Sequence, residues 1–91
     1  MDERVTQPPE LAIIAGKGVY PLVLAESARH QGVGRLVALA FRGETDRSIR
    51  GRVDETVWIR LGSLQAMLDA LKATGVRHAV MAGQITPTSL F

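Results

Sequence analysis

The chain has 91 residues, 46% of them hydrophobic and 22% charged, with 11 basic side chains against 9 acidic ones and a formal charge of +2. That length holds one small domain, which buries only about 60% of the surface its unfolded form exposes. The absence of cysteine excludes a disulfide framework and a thiolate metal site, and no run approaches the roughly 18 apolar residues of a membrane-spanning helix.

The weak net charge also argues against a nucleic-acid partner, which calls for a clustered basic face with interleaved aromatics. Basic residues concentrate only at Arg42, Arg47, Arg50 and Arg52, and Glu44 and Asp46 interrupt them. This stretch reads first as a solvated loop. Its second reading is a phosphate contact, because the guanidinium fork matches phosphate geometry.

Residues 1–10 mix acidic and basic side chains and include Pro8-Pro9, which predicts a disordered leader rather than a signal peptide. Leu11–Ala15 is a continuous apolar run closed by Gly16, the pattern of a strand covered on both faces. Pro21 then suits the first position of a helix, where its missing N–H costs nothing. Leu22, Leu24, Ala25 and Ala28 supply the apolar face of that helix, and Gly32 and Gly34 end it.

Arg35–Ala40 reads as a second strand. The charged stretch from Phe41 to Asp54 reads as a loop with a short helical turn at Asp46–Arg50. Glu55–Ile59 is β-branched and aromatic, a third strand. Ser63 is a candidate N-cap, and Leu64, Met67, Leu68 and Leu71 recur at helical spacing as a core stripe. Gly75 stops this helix, and Arg77–Ala82, closed by Gly83, is the fourth strand.

Strands alternating with helices imply an α/β fold: a Rossmann-like half, with a mostly parallel four-stranded sheet in the order 3-2-1-4 and two main helices. The first strand is then central, and its C-terminal end lies where ligands bind in such sheets. That places Gly16, Lys17, Gly18, Val19, Tyr20 and Pro21 at the candidate binding turn. Free N–H groups at a helix start favour an anion there, and Lys17 could add a point charge.

The turn is not a complete dinucleotide fingerprint, since Pro21 stands where the third glycine belongs. It is not a Walker-type loop either, because Lys17 is followed by Gly18. An acid just after the second strand would hold a ribose, but Arg42 and Gly43 come first and Glu44 is late. Arg60–Ser63 and Ala82–Pro87 reach the same end of the sheet, and Gly83, Gln84 and Thr86 bring uncharged polar groups to it. The turn and these loops keep a structural reading beside the binding one. His30 and His78 lack ligand spacing, and Asp54, Glu55 and Asp69 read as solvated flank residues. No catalytic residue and no metal ligand is expected within the chain.

Two segments carry a resemblance: L-A-I-I-A-G-K-G-V-Y-P from Leu11 to Pro21, and L-G-S-L-Q-A-M-L-D-A-L-K-A-T-G-V-R-H-A-V-M-A-G-Q-I from Leu61 to Ile85. Together they resemble the N-terminal domain of the LpxI-type UDP-2,3-diacylglucosamine pyrophosphatases, with Pro87 and Leu90-Phe91 fitting the continuation. The resemblance implies hydrolysis of that nucleotide-sugar lipid to UMP and 2,3-diacylglucosamine 1-phosphate in lipid A synthesis, assisted by Mg²⁺. It implies a longer two-domain enzyme whose catalytic and metal-binding acids lie in a C-terminal domain.

Residues 11–91 would then be a truncated N-terminal domain, inactive alone. The turn at Gly16–Pro21 and the loop at Gly83 and Gln84 would form a wall of the substrate cleft. The expected setting is cytoplasmic, with peripheral contact at the inner-membrane surface in the parent enzyme. An exposed sheet edge leads us to expect a homo-oligomer. Two other readings stand beside this one: an NAD(P)-binding fragment of an oxidoreductase, and a scaffold module without enzymatic activity.

Overall fold

A computed structural model describes residues 8–60 and 62–85. In chain order these form strand β1 (Glu10–Ala15), helix α1 (Tyr20–His30), strand β2 (Arg35–Phe41), a 3-10 turn (Arg47–Gly51), strand β3 (Glu55–Ile59), helix α2 (Leu64–Ala73) and strand β4 (Ala79–Ala82). The four strands make one sheet in the order β3-β2-β1-β4, and every pairing is parallel. This is the α/β architecture and strand order expected from the sequence.

The two central strands explain the apolar runs. From Ala12 to Ala15 and from Leu36 to Phe41 every side chain is buried, because both faces of the sheet are covered there. Alternate residues feed separate clusters. Ile13, Ala15, Leu36 and Ala38 meet Ala25 and Ala28 of α1 together with Val33 and Ile49. Ile14, Val37, Leu39 and Phe41 meet Met67 of α2. Burying a side chain the size of Leu36 or Leu39 contributes about 1.5–3 kcal/mol.

The connections β1 to β2 and β3 to β4 run in opposite directions along the sheet, so crossovers of one hand place their helices on opposite faces. The 3-10 turn continues in the direction of the first crossover, and its Ile49 packs on the α1 face.

Several details differ from the sequence reading. Pro9 and Glu10, read as leader, join the fold: the Pro9 carbonyl accepts from Gly34 N and Arg35 N at 3.0 Å each, and Glu10 pairs with Arg35 in β1. Residues 1–7 lie outside the described set. Helix α1 starts one residue early, at Tyr20, so Pro21 is its second residue and is buried; the N–H it lacks would still have had no partner within the helix. Strand β4 begins at Ala79 rather than Arg77, since its first register partner on β1 is Ala12.

The stripe on α2 is the largest correction. Met67 alone is buried, whereas Leu64 and Leu68 are exposed. The helix packs over β2 and β3 and leaves the β4 side of that face open, where Met81 is exposed, so the apolar stripe is wider than the surface it covers. Ser63 does cap it, its hydroxyl accepting from Ala66 N at 3.1 Å.

Charge closes the N-terminal edge of the sheet. Arg35 bridges Glu55 at 2.8 Å and Glu10 at 3.4 Å, joining the first residues of three strands. Asp54 accepts from Leu36 N at 2.8 Å and pairs with Arg29 at 2.8 Å, while its own N–H donates to the Leu36 carbonyl. Asp54 is thus a structural anchor for β3 rather than a merely solvated acid. As exposed ion pairs, these add little to stability.

The Asp54 carboxyl sits below the ordinary aspartate range, first because the Leu36 N–H bonds its ionised form and then because Arg29 stands beside it. Asp46 is lowered in the same way by the N–H and hydroxyl of Ser48. A carboxyl depressed by folding contributes stability above its unfolded value, about 3.9, and that contribution disappears as pH falls through the folded value. Urea unfolding should therefore show stability dropping as pH falls below about 4. Asp54→Asn should have a shallower acid limb, and an unchanged limb would contradict this assignment.

Candidate functional site

The parallel sheet brings the ends of β1, β2 and β4 to one edge, where the loops after β1 and β4 lie against each other. Lys17 and Gln84 form an antiparallel bridge: Lys17 N donates to the Gln84 carbonyl at 2.9 Å and Gln84 N to the Lys17 carbonyl at 3.0 Å. Gly16 N adds a bond to the Ala82 carbonyl at 2.7 Å. Each such bond contributes about 0.5–1.5 kcal/mol net.

Glycine makes this approach possible. A Cβ on Gly16 would fall 2.6 Å from the Gln84 carbonyl oxygen, and one on Gly83 would fall 2.8 Å from the Lys17 carbonyl oxygen. Gly83 also has a φ of 89°, which L side chains rarely adopt. Gly18 differs: its φ is 101°, yet a Cβ there would meet nothing within 4 Å. Two glycines serve the contact between loops, and the third serves the reversal into α1.

The structure thus joins six expected binding-turn residues with Gly83 and Gln84, and it divides their roles. The N–H groups of Gly16 and Lys17 are taken by the β4 loop, so they do not face a ligand as free donors. Among the described residues no acceptor meets the N–H groups of Gly18, Val19 and Tyr20 at the start of α1, and Val19 caps that helix without a side-chain bond. Val19 and Tyr20 are exposed, Tyr20 at 72%, and the Lys17 and Gln84 side chains are also at the surface. The edge offers three donors and a helix N-terminus to an anion. Thr86 lies outside the described residues, as does Leu61 in the loop after β3.

One contributor was not read from the sequence. Thr45 is buried; its hydroxyl donates to the Ala15 carbonyl at 2.5 Å and accepts from Phe41 N at 2.8 Å. It ties the loop after β2 to the last residue of β1, immediately before Gly16. A threonine in an otherwise charged loop is the only sequence signal for it.

Beside Thr45, Arg42, Arg47 and Arg50 line an open hollow of about 940 Å³ with Asp46, Thr56 and Trp58. Arg52, grouped with them in sequence, instead bonds Glu26 at 3.1 Å. His30 ends α1 and His78 precedes β4, and both are exposed. Among the described residues, no three His, Asp or Glu side chains gather to hold a metal ion, and no helix is long and apolar enough to cross a membrane.

The glycine geometry makes a separable prediction for hydrogen exchange. Gly16→Ala should expose the Lys17 and Gln84 amides to fast exchange, because its methyl group strikes backbone that cannot give way. Gly18→Ala should cost about 1–2 kcal/mol for its left-handed conformation but leave both amides protected. Retained protection in Gly16→Ala would show that the bridge does not depend on this contact.

No curated protein and no solved structure matches the chain. The model of one family, described as the LpxI N-terminal domain, matches residues 10–91, from the first residue of β1 through both loops of the bridged edge. The chain belongs to the LpxI N-terminal domain family, and this makes it part of an LpxI-type protein linked to lipid A biosynthesis.

Proposed function

We propose that this chain is the substrate-binding part of a UDP-2,3-diacylglucosamine pyrophosphatase, with the bridged edge forming one wall of the cleft. The observation that carries the reading is the coincidence of the family match with that edge: the matched residues include both glycine loops and the amides of Gly18, Val19 and Tyr20, which meet no acceptor among the described residues. Those amides and the α1 N-terminus suit the phosphate of a nucleotide. The exposed Tyr20 and Val19 offer apolar surface beside it.

The reaction in this reading is hydrolysis to UMP and 2,3-diacylglucosamine 1-phosphate. The described residues do not fit a Mg²⁺ site, and no step is assigned to an ion here. The acids for hydrolysis belong, in this proposal, to a C-terminal domain, and the 91 residues alone bind without turning over. The enzyme works in the cytoplasm and meets its lipid substrate at the inner-membrane surface.

Self-association is part of the same proposal. Strand β4 is an edge of the sheet, and Met81 on it is 57% exposed on the side that α2 leaves open. An uncovered edge with apolar side chains favours pairing with another copy.

Calorimetric titration separates this reading from a dinucleotide one. UMP should bind saturably and NADH should not; binding of NADH alone would overturn the assignment. The isolated chain should release no UMP from the sugar-nucleotide lipid, whereas a protein extended through the C-terminal domain should; no release from the extended protein would also overturn it. Light scattering should give a mass above that of one chain, and Met81→Lys should shift it toward the monomer. A monomer at all concentrations would remove the self-association claim.

A further inference from the structure

Six of the described arginines differ in their partners. Arg29, Arg35 and Arg52 each have a carboxylate partner: Asp54, Glu55 with Glu10, and Glu26 respectively. A second hollow, about 630 Å³, is lined by Glu26, Arg29 and Arg52, and both of its arginines are paired, Arg52 with Glu26 on the lining and Arg29 with Asp54 outside it. Among the described residues the side chains of Arg42, Arg47 and Arg50 have no ion pair and no hydrogen bond, although all three line the larger hollow.

The one carboxylate on that hollow does not answer them. Asp46 accepts from both the N–H and the hydroxyl of Ser48, at 2.9 and 2.8 Å, and so caps the 3-10 turn. Counting three arginines against one aspartate leaves two formal positive charges in excess on the lining. Thr56 adds a hydroxyl from the β3 wall, and Trp58 adds a half-buried aromatic side chain from the same strand. Trp58 packs against the core on the α1 face, which fixes that wall on a strand rather than on a loop.

We propose that this hollow is a second anion site, distinct from the turn at Gly16–Tyr20, which takes a phosphoryl group of charge about two, matching the excess on its lining. Guanidinium groups recognise such a group by paired N–H bonds, and the Thr56 hydroxyl can donate to it. The site lies beside the nucleotide-binding edge, since Thr45 joins the two. It does not depend on what that edge binds. A phosphoryl group free in solution and one on the headgroup of an anionic lipid present the same chemistry to the arginines.

Trp58 is the only tryptophan, so intrinsic fluorescence reports on this hollow directly. Titration of the 91-residue chain with pyrophosphate, and with inorganic phosphate, should give a saturable change absent in chloride of matched ionic strength. The double variant Arg47→Ala, Arg50→Ala should weaken binding about tenfold or more, the loss expected when charge-assisted hydrogen bonds are removed. Arg77→Ala removes an exposed charge elsewhere and should leave binding unchanged. Circular dichroism of each variant checks that it is folded.

Vesicles of phosphatidylcholine with and without phosphatidylglycerol distinguish the source. A fluorescence change that requires the anionic lipid and both arginines, without a response to free phosphate, supports the site and assigns it to a headgroup. No saturable change with any of these probes, or a change that survives the double variant, overturns the proposal.

Discussion

Two backbones in direct contact set the geometry of the candidate binding edge. The loop leaving β1 and the loop leaving β4 bridge through Lys17 and Gln84, at a separation that Gly16 and Gly83 permit and a methyl group would not. This contact uses the amides of Gly16 and Lys17, while those of Gly18, Val19 and Tyr20 meet no acceptor among the described residues. It also holds the start of α1 at the end of the central strand. A looser pair of loops would present the same residues without fixing where their donors point.

Charge pairs gather at the N-terminal edge of the sheet, where Arg35 bridges Glu10 and Glu55 and Asp54 is engaged by Arg29 and Leu36 N. Among the described residues Lys17 and Arg42, which follow β1 and β2, have no carboxylate partner, nor do Arg47 and Arg50 in the 3-10 turn or Arg77 before β4. The pairs bring little folding stability, because exposed pairs are weak. The unpaired Lys17 and Arg42 place positive charge at the edge where parallel sheets bind ligands.

Much of this was legible in the residues because the signals were local. The apolar runs Leu11–Ala15 and Leu36–Ala40, Ser63 before α2 and the glycine closing β4 each follow from neighbours in sequence. The strand order followed from alternation of strands with helices. What could not be read depends on contacts between distant segments. Helical spacing marks Leu64 and Leu68 as apolar, but only the position of α2 over β2 and β3 decides that they stay exposed. The bonds from Thr45 to Ala15 and Phe41, and the loss of the Gly16 and Lys17 amides to the β4 loop, also need the tertiary structure. The proposed substrate class rests on the family resemblance, since neither periodicity nor spacing carries it.

The central claim is that the turn after β1 binds substrate through the amides its partner loop leaves free. Site-resolved ¹H–¹⁵N chemical-shift mapping during a UMP titration tests it most directly. The account predicts large, saturable shifts at Gly18, Val19 and Tyr20, with smaller ones at Gly16 and Lys17, whose N–H groups are already bonded within the protein. Shifts confined to other surfaces, or none at saturating UMP, would contradict it.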